Sequence, residues 1–299
     1  MTQYVYGLLH GVDEKRRLVA IRSNKQVKYY YMAKGQFLSF MQYFKDGIFV
    51  FLHVEENVRR YRGVMVQNVV SIEKLIAPSG QNPTVYYDVS VIKSGISSIV
   101  NLRKYKCFLD FEMSMPPYTK YETFVSEIIQ VGYLLCDELG NIVETKSLFL
   151  RPTLFPKISE RTKKFLHIEQ EQIEEGILYR EFYDDFTAML KKYKPMVVVW
   201  GANDQIELRK MNMLYSLSDF TIHTQFIDLL KLHKTYFGLK NDLGLFSAYN
   251  MYSTEDLDKQ KHDAFEDARV TKEVFYWFLE VCNGTRTAKL DPIEKVQDA

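Results

Sequence analysis

Asp110 and Glu112 stand two residues apart in the run Cys107-Phe-Leu-Asp-Phe-Glu112. In a strand, alternate side chains share a face, so both carboxylates project to one side and Phe111 to the other. Burying two like charges is costly unless a cation compensates, and paired carboxylates are hard oxygen ligands for a divalent metal. Asp-x-Glu is also a common triplet on solvated strand faces; the apolar neighbours Phe108, Leu109 and Phe111 set this one apart. Asp204 follows the run Val197-Val-Val-Trp-Gly-Ala-Asn-Asp204, just past the carboxyl end of an expected strand, where ligands collect in open α/β sheets. Asn203 or Asp204 could equally start the next helix as its N-cap. His262 and Asp267 lie in His262-Asp-Ala-Phe-Glu-Asp267-Ala268, at the head of a helix whose Val270, Val274, Phe275 and Phe278 form an apolar face. Taken singly, His262 reads as a surface or capping histidine, and Asp267 as a first-turn acid favoured by the helix dipole. Asp263 and Glu266 read as exposed.

These residues must be placed by an alternation of strands and helices. Strands are expected at Lys106–Glu112, Ile128–Cys136 and Ile142–Leu150, the last two joined by a tight turn at Asp137–Asn141, as in an antiparallel meander. A helix over Gln172–Tyr193 precedes Met196–Trp200, whose apolar character is that of a strand covered on both faces. Helix Asp204–Tyr215, strand Gln225–Leu229, a helical region Leu239–Met251 and a final helix Asp263–Val281 follow. The pattern predicts a mixed sheet wrapped by helices.

The first quarter of the chain reads differently. Tyr4–Leu9, Leu18–Arg22, Val27–Met32, Ile48–Val54 and Gly63–Ile72 are short β-like runs broken by charged or glycine-containing turns, with one helical insertion at Gln36–Tyr43. Five strands with a helix between the third and fourth are the pattern of a small oligonucleotide-binding barrel. The turn-rich Ala77-Pro-Ser-Gly-Gln-Asn-Pro83 marks a boundary. The expected divisions are a barrel at 1–76, a linker with a possible extra strand at 77–104, an α/β domain at 105–282 and a polar tail at 283–299. A chain of 299 residues is comfortable for two domains. Three widely spaced cysteines offer neither a disulfide framework nor a zinc pattern, and no apolar run is long enough to cross a bilayer. The expectation is a soluble cytoplasmic protein. The net charge of +1 conceals an asymmetry: residues 1–100 carry 13 Lys and Arg against 7 Asp and Glu, and the remainder 26 against 31. A basic module is joined to an acidic one, which suits a polyanion partner for the first and cations for the second.

The order of the motifs, Asp-x-Glu on the first strand, Asp after Trp-Gly, and His-x-Ala-x-x-Asp-Ala on the last helix, resembles the DEDDh 3′-5′ exonucleases from about Lys106 to Val281. Ser126-Glu-Ile-Ile-Gln-Val-Gly132, Phe149-Leu-Arg-Pro152 and Trp200-Gly-Ala-Asn-Asp204 are similar to the subgroup that trims histone-mRNA and small-RNA ends, and to its bacterial relatives. The resemblance implies a ribonuclease H-like α/β domain with a mixed five-stranded sheet flanked by helices. It implies phosphodiester hydrolysis from the 3′ end of single-stranded nucleic acid, RNA ahead of DNA, with two divalent cations, Mg²⁺ or Mn²⁺, about 4 Å apart. In that scheme Asp110 bridges the metals, Glu112 and Asp267 complete the first, and Asp204 supports the second. His262 takes the proton of the attacking water. Met113, Ser114 and Trp200 are the expected contacts to the terminal nucleotide. The sequence departs from the family at Met113-Ser114, where Ala-Thr or Thr is usual, and at Lys164-Phe-Leu-His-Ile168, which lacks a Thr-Gly step.

The barrel resembles cold-shock and related oligonucleotide-binding modules, with Lys28, Tyr29, Tyr31, Arg60 and Arg62 as its expected nucleic-acid groove. Tyr29 and Tyr31, on one strand face, could instead be core or rim aromatics. Two other functions compete: a catalytically silent scaffold of the same fold, against which the complete set of five residues stands, and a DNA-proofreading exonuclease. The sequence points to no protein partner and no membrane.

Overall fold

In the computed structural model, residues 2–78, 83–118, 123–253 and 262–289 are described, and the chain divides into two compact units between Ile96 and Ser97. The first is all-β. It comprises β1 (Thr2–Asp13), β2 (Leu18–Ser23), β3 (Gln26–Tyr31), α1 (Lys34–Phe40) running into a 3₁₀ turn at Met41–Tyr43, β4 (Phe49–Tyr61), β5 (Val64–Ala77) and β6 (Thr84–Asp88). β1 pairs antiparallel with β2 and β4, and β3 pairs with β2 and, in parallel, with β5, so five strands close into a barrel. Strict alternation makes the closure possible: Val50, Leu52 and Val54 of β4 point inward to Val19, Ile21 and Leu75, while Phe49, Phe51 and His53 point outward. β4 and β5 run past the expected limits to form a hairpin whose turn, Arg62-Gly63, has positive φ at both residues (45° and 86°). Residues 77–104, read from the sequence as a linker with a possible extra strand, contain β6, paired with β5, and α2 (Val89–Val100).

The second unit is the expected α/β layer. It contains β7 (Lys106–Met113), β8 (Ile128–Cys136), β9 (Ile142–Arg151), α3 (Glu160–Leu166), α4 (Gln170–Glu174), β10 (Ile177–Leu178) and α5 (Tyr179–Tyr193). Then come β11 (Met196–Val199), α6 (Asn203–Leu214), β12 (Phe226–Asp228), α7 (Leu229–Phe237), α8 (Leu245–Asn250) and α9 (Ala264–Cys282). The sheet order is β10-β9-β8-β7-β11-β12, antiparallel from β9 to β7 and parallel from β7 to β12. These are the five anticipated strands plus the two-residue β10, parallel to the end of β9.

Three helical expectations are corrected. The single helix over Gln172–Tyr193 is two helices, because Gly176 packs so closely on the Phe149 carbonyl that a Cβ there would lie 2.6 Å from its oxygen, and the chain extends to pair with β9. The helix expected over Leu239–Met251 begins earlier, where Asp228 caps α7 by accepting the Lys231 N–H at 2.9 Å; Gly238, at φ 66°, ends it, and helix resumes only at Leu245. α3 was not anticipated; its N-cap Ser159 accepts the Thr162 N–H at 3.1 Å. Most of the polar tail falls outside the described residues.

The two faces of β7 explain the position of its acids. Phe111 meets Phe182 of α5 edge-on on one side, and Phe108 meets Phe275 of α9 on the other, so Asp110 and Glu112, in register with Phe108, face α9. α9 reaches this position by crossing directly over Gly132, the residue of β8 opposite Asp110. A Cβ at Gly132 would lie 2.2 Å from Ala264 C and Phe265 N. Only glycine permits this approach. Gly132→Ala is expected to push the head of α9 off the sheet and lower stability by about 1–3 kcal/mol. Gly11→Ala, whose Cβ meets nothing within 4 Å, should change it little. Calorimetric melting of both variants checks this, and equal midpoints would show that the crossing is not tight.

Candidate active site

β7 brings Asp110 and Glu112 to the α9 side of the sheet, α6 brings Asp204, and the head of α9 brings His262 and Asp267. Asp204 is not an N-cap. α6 starts after Ala202 without a side-chain cap; Gly201, at φ 97°, turns the chain out of β11, and Asp204, on the first turn, is 6% exposed. Its carboxylate accepts the backbone N–H of Phe111, which ties α6 to the strand bearing the other acids. Asp267 is 3% exposed and Glu112 8%. One ligand atom each from Glu112, His262 and Asp267 lie within 4.8 Å of one another, and His262 Nδ1 is 3.9 Å from Glu112 Oε1.

The electrostatics of the cluster follow from burial and like charge. Burial, with Asp204, Asp267 and Glu112 close by, holds the Asp110 carboxyl well above the usual carboxylate range. Burial, then Asp267 and Asp204, pushes Glu112 up to about 8. Asp204 is raised by burial to about 7, although the Phe111 N–H opposes the shift. Among the described residues, Asp110, Glu112 and Asp204 have no lysine or arginine partner. Buried acids that raise one another's pKa and lack an organic cation fit a divalent metal with oxygen ligands.

The head of α9 is held by residues the sequence reading did not assign. Asp263, expected to be exposed, is the N-cap: Oδ1 accepts the Glu266 N–H at 2.9 Å, and Oδ2 accepts the amide of Gln130 at 2.7 Å. The Gln130 carbonyl oxygen in turn accepts the Ala264 N–H at 3.3 Å. Gln130 lies on β8 opposite Glu112, so one buried amide spans the acidic strand and the helix that presents Asp267. His262 has φ 52°, and its ring stacks on Phe165 of α3, with centroids 4.3 Å apart and planes 27° apart. Burial, then the neighbouring His167, lowers its pKa and favours the neutral imidazole. Gln130 and Gly132 lie within a quoted family-like stretch, and Phe165 within the stretch that departs from the family; what the sequence did not show is their contact with the head of α9 and with His262 before it.

The expected nucleotide contacts each have a partner within the fold. Ser114 is buried, and its hydroxyl oxygen accepts the Glu127 N–H at 3.0 Å. Met113 packs against the core, and the Trp200 indole N–H donates to the Leu243 carbonyl at 3.0 Å. In the barrel unit, Tyr31 and Arg62 are joined through Tyr61, while Lys28, Tyr29 and Arg60 are exposed. No helix among the described residues is long and apolar enough to cross a membrane.

The mixed sheet thus carries Glu112, His262 and Asp267 together, with Asp110 and Asp204 close by. The family model described as Exonuclease (RNase_T) matches residues 107–275, and the chain belongs to that family. It is a 3′-5′ exonuclease of the DEDDh type, a family that works with divalent metal ions. Over 169 residues it is 31% identical to a probable 3′-5′ exonuclease, KapD, of Bacillus subtilis (strain 168), covering 56% of this chain and 80% of that one. Over 191 residues it is 26% identical to a PolC-type DNA polymerase III of Thermotoga petrophila, covering 64% of this chain and 13% of the polymerase. The fold matches the nuclease domain of 3′hExo, a DEDDh family member bound to rAMP, with a TM-score of 0.54 at 18% identity, covering 63% of this chain and 98% of that one.

The raised carboxyl pKa values carry a consequence for stability. Glu112 and Asp204 keep their protons in the folded protein at pH values where the unfolded chain has released them. Their stabilising contribution is therefore complete below about pH 4 and is lost as pH rises through about 7 to 8. With a chelator present, the melting midpoint of Glu112→Gln should rise relative to that of the parent between pH 5 and pH 8. Mg²⁺ or Mn²⁺ should raise the parent's midpoint more at pH 8 than at pH 5. Parallel pH profiles for parent and variant would show that Glu112 is not in a repulsive cluster.

Proposed function

We propose that this exonuclease removes nucleotides from the 3′ end of single-stranded nucleic acid, RNA ahead of DNA, at the site built from Asp110, Glu112, Asp204, Asp267 and His262. The observation that carries this reading is the convergence of four acids from β7, α6 and α9, of which Glu112, Asp204 and Asp267 are buried, with a neutral imidazole at their edge. Asp110, Glu112, Asp204 and Asp267 would hold two divalent cations, Mg²⁺ or Mn²⁺. Bound there, such ions lower the pKa of water and neutralise charge developing on the leaving 3′-oxygen.

His262 is the general base. Its lowered pKa leaves the ring neutral at pH 7, and the Phe165 face fixes the plane in which it accepts a proton. The water oxygen bonds to phosphorus, the bond from phosphorus to the 3′-oxygen breaks, and the products are a nucleoside 5′-monophosphate and a strand shortened by one residue. Met113, Ser114 and Trp200 are proposed to border the terminal nucleotide. RNA preference is supported by one fold neighbour bound to rAMP and another that recognises a histone mRNA stem-loop. The polymerase relative favours a second reading, DNA proofreading. Matched labelled RNA and DNA single strands with Mg²⁺ or Mn²⁺ separate the two; faster hydrolysis of the DNA strand would reverse the assignment.

Asp110→Ala, Glu112→Ala, Asp204→Ala and Asp267→Ala are each expected to abolish nearly all hydrolysis in a folded protein. A folded Asp110→Ala variant with parental turnover would remove the carboxylate site. His262→Ala should lower turnover by about 10²–10⁴-fold while sparing metal affinity, as loss of a general base does. If metal titration instead shows a loss equal to that of Asp267→Ala, His262 is a ligand.

A further inference from the structure

The long β4–β5 hairpin of the barrel unit gathers three arginines and two tyrosines. Tyr31, at the end of β3, and Tyr61, at the tip of β4, have ring centroids 4.8 Å apart. The Arg59 guanidinium lies 4.9 Å from the Tyr31 centroid and 5.1 Å from that of Tyr61. Arg17 lies 5.3 Å over Tyr31 and donates to its hydroxyl at 2.5 Å, and Arg62 lies 5.5 Å over Tyr61. Adjacent Arg16 is neutralised by Asp13 at 2.7 Å, but Arg17, Arg59 and Arg62 have no carboxylate partner among the described residues. Asn68 stands between Arg59 and Glu55: it donates to Glu55 at 2.8 Å and accepts from Arg59 at 2.9 Å. Arg17 Nε is buried without a hydrogen-bond partner, while Arg59 and Arg62 are exposed.

Three guanidiniums sharing two rings repel one another, and among the described residues no carboxylate is paired with any of them. Cation–π contacts orient the planar groups without neutralising them. Oriented guanidiniums with free N–H edges match phosphate oxygens. Tyr29, two residues before Tyr31 on the same strand face and 41% exposed, adds an open ring for a base. We propose that Arg17, Arg59 and Arg62, set by Tyr31 and Tyr61, form a clamp for the phosphate backbone of a single-stranded nucleic acid. This rests on the reading that the enzyme acts on single strands, and it adds Arg17, Arg59 and Tyr61 to the groove residues expected from the sequence.

The test uses the full chain with a chelator, so that no strand is cut, and a fluorescent 30-nucleotide RNA titrated at several salt concentrations. Each of Arg17→Ala, Arg59→Ala and Arg62→Ala should weaken binding about threefold to tenfold. The triple variant should flatten the slope of log affinity against log salt by about 2, because each phosphate contact on single strands contributes about 0.7. Arg22→Ala, whose guanidinium bonds His10 at 2.8 Å, should bind as the parent does. Relieved of repulsion, the triple variant should melt no lower than the parent. An unchanged affinity and slope in the triple variant, or an equal loss in Arg22→Ala, would overturn the clamp. Absence of hydrolysis by the parent would instead sink the catalytic reading, since the binding measurement does not depend on cleavage.

Discussion

Four carboxylates drawn from three elements into one poorly solvated point repel one another, and the α/β unit is organised to hold them there. A free chain would separate these groups or keep them in water. The folded protein keeps them together because each sits on an element buried for independent reasons: β7 between α5 and α9, α6 against the core through Leu208 and Met211, and α9 through Val270, Val274, Phe275 and Phe278. Apolar burial of this extent, at about 25 cal/mol per Å², can carry the electrostatic penalty that metal binding would relieve. The strain is thus concentrated at the site and opposed by the core around it.

Close approach of α9 to the sheet is the geometric condition for that arrangement. Gly132 lets the helix backbone touch β8, and Gln130 two residues earlier fills the hydrogen-bonding needs of Asp263 and Ala264 at the helix start. A second buried polar group steadies the opposite edge of the same strand. Glu127, fully buried, accepts N–H bonds from Thr153 and Leu154 at 3.0 and 2.9 Å and the Tyr215 hydroxyl, which links the start of β8 to the segment after β9 and to the end of α6. A buried carboxylate satisfied by donors is tolerated where an unsatisfied one is not. The contrast with the site acids is the reason only the latter call for a metal.

The barrel unit presents the inverse problem. Arg17, Arg59 and Arg62 are gathered on aromatic faces without a carboxylate partner among the described residues, while Asp110, Glu112 and Asp204 are gathered without a lysine or arginine partner among them. Each of these two clusters is short of the opposite sign. A nucleic-acid substrate and divalent cations are the two mobile species that would complete them.

Much of this was legible in the sequence, for identifiable reasons. Period-two alternation placed Asp110 and Glu112 on one face, the apolar Met196–Trp200 run marked the central parallel strand, and the spacing from His262 to Asp267 set both at the head of one helix; these are local patterns that packing did not override. The break at Gly176 was missed because helical periodicity runs on through it, and what interrupts the helix is a backbone contact; α7, which ends at the left-handed Gly238, was missed because the Asp228 cap sets its start. Asp204 could not be told from an N-cap, since both readings need an acid at a helix start; only its contact with Phe111 separates them. The pairing of Gln130 with Asp263, Phe165 with His262, and Arg17 with Tyr31, Arg59 and Tyr61 joins residues far apart in the chain. Residue types and local spacing thus determined which groups could do chemistry and on what elements they lie. The tertiary structure alone decided which of them meet, because contact between distant segments depends on how the sheet, the helices and the barrel strands pack.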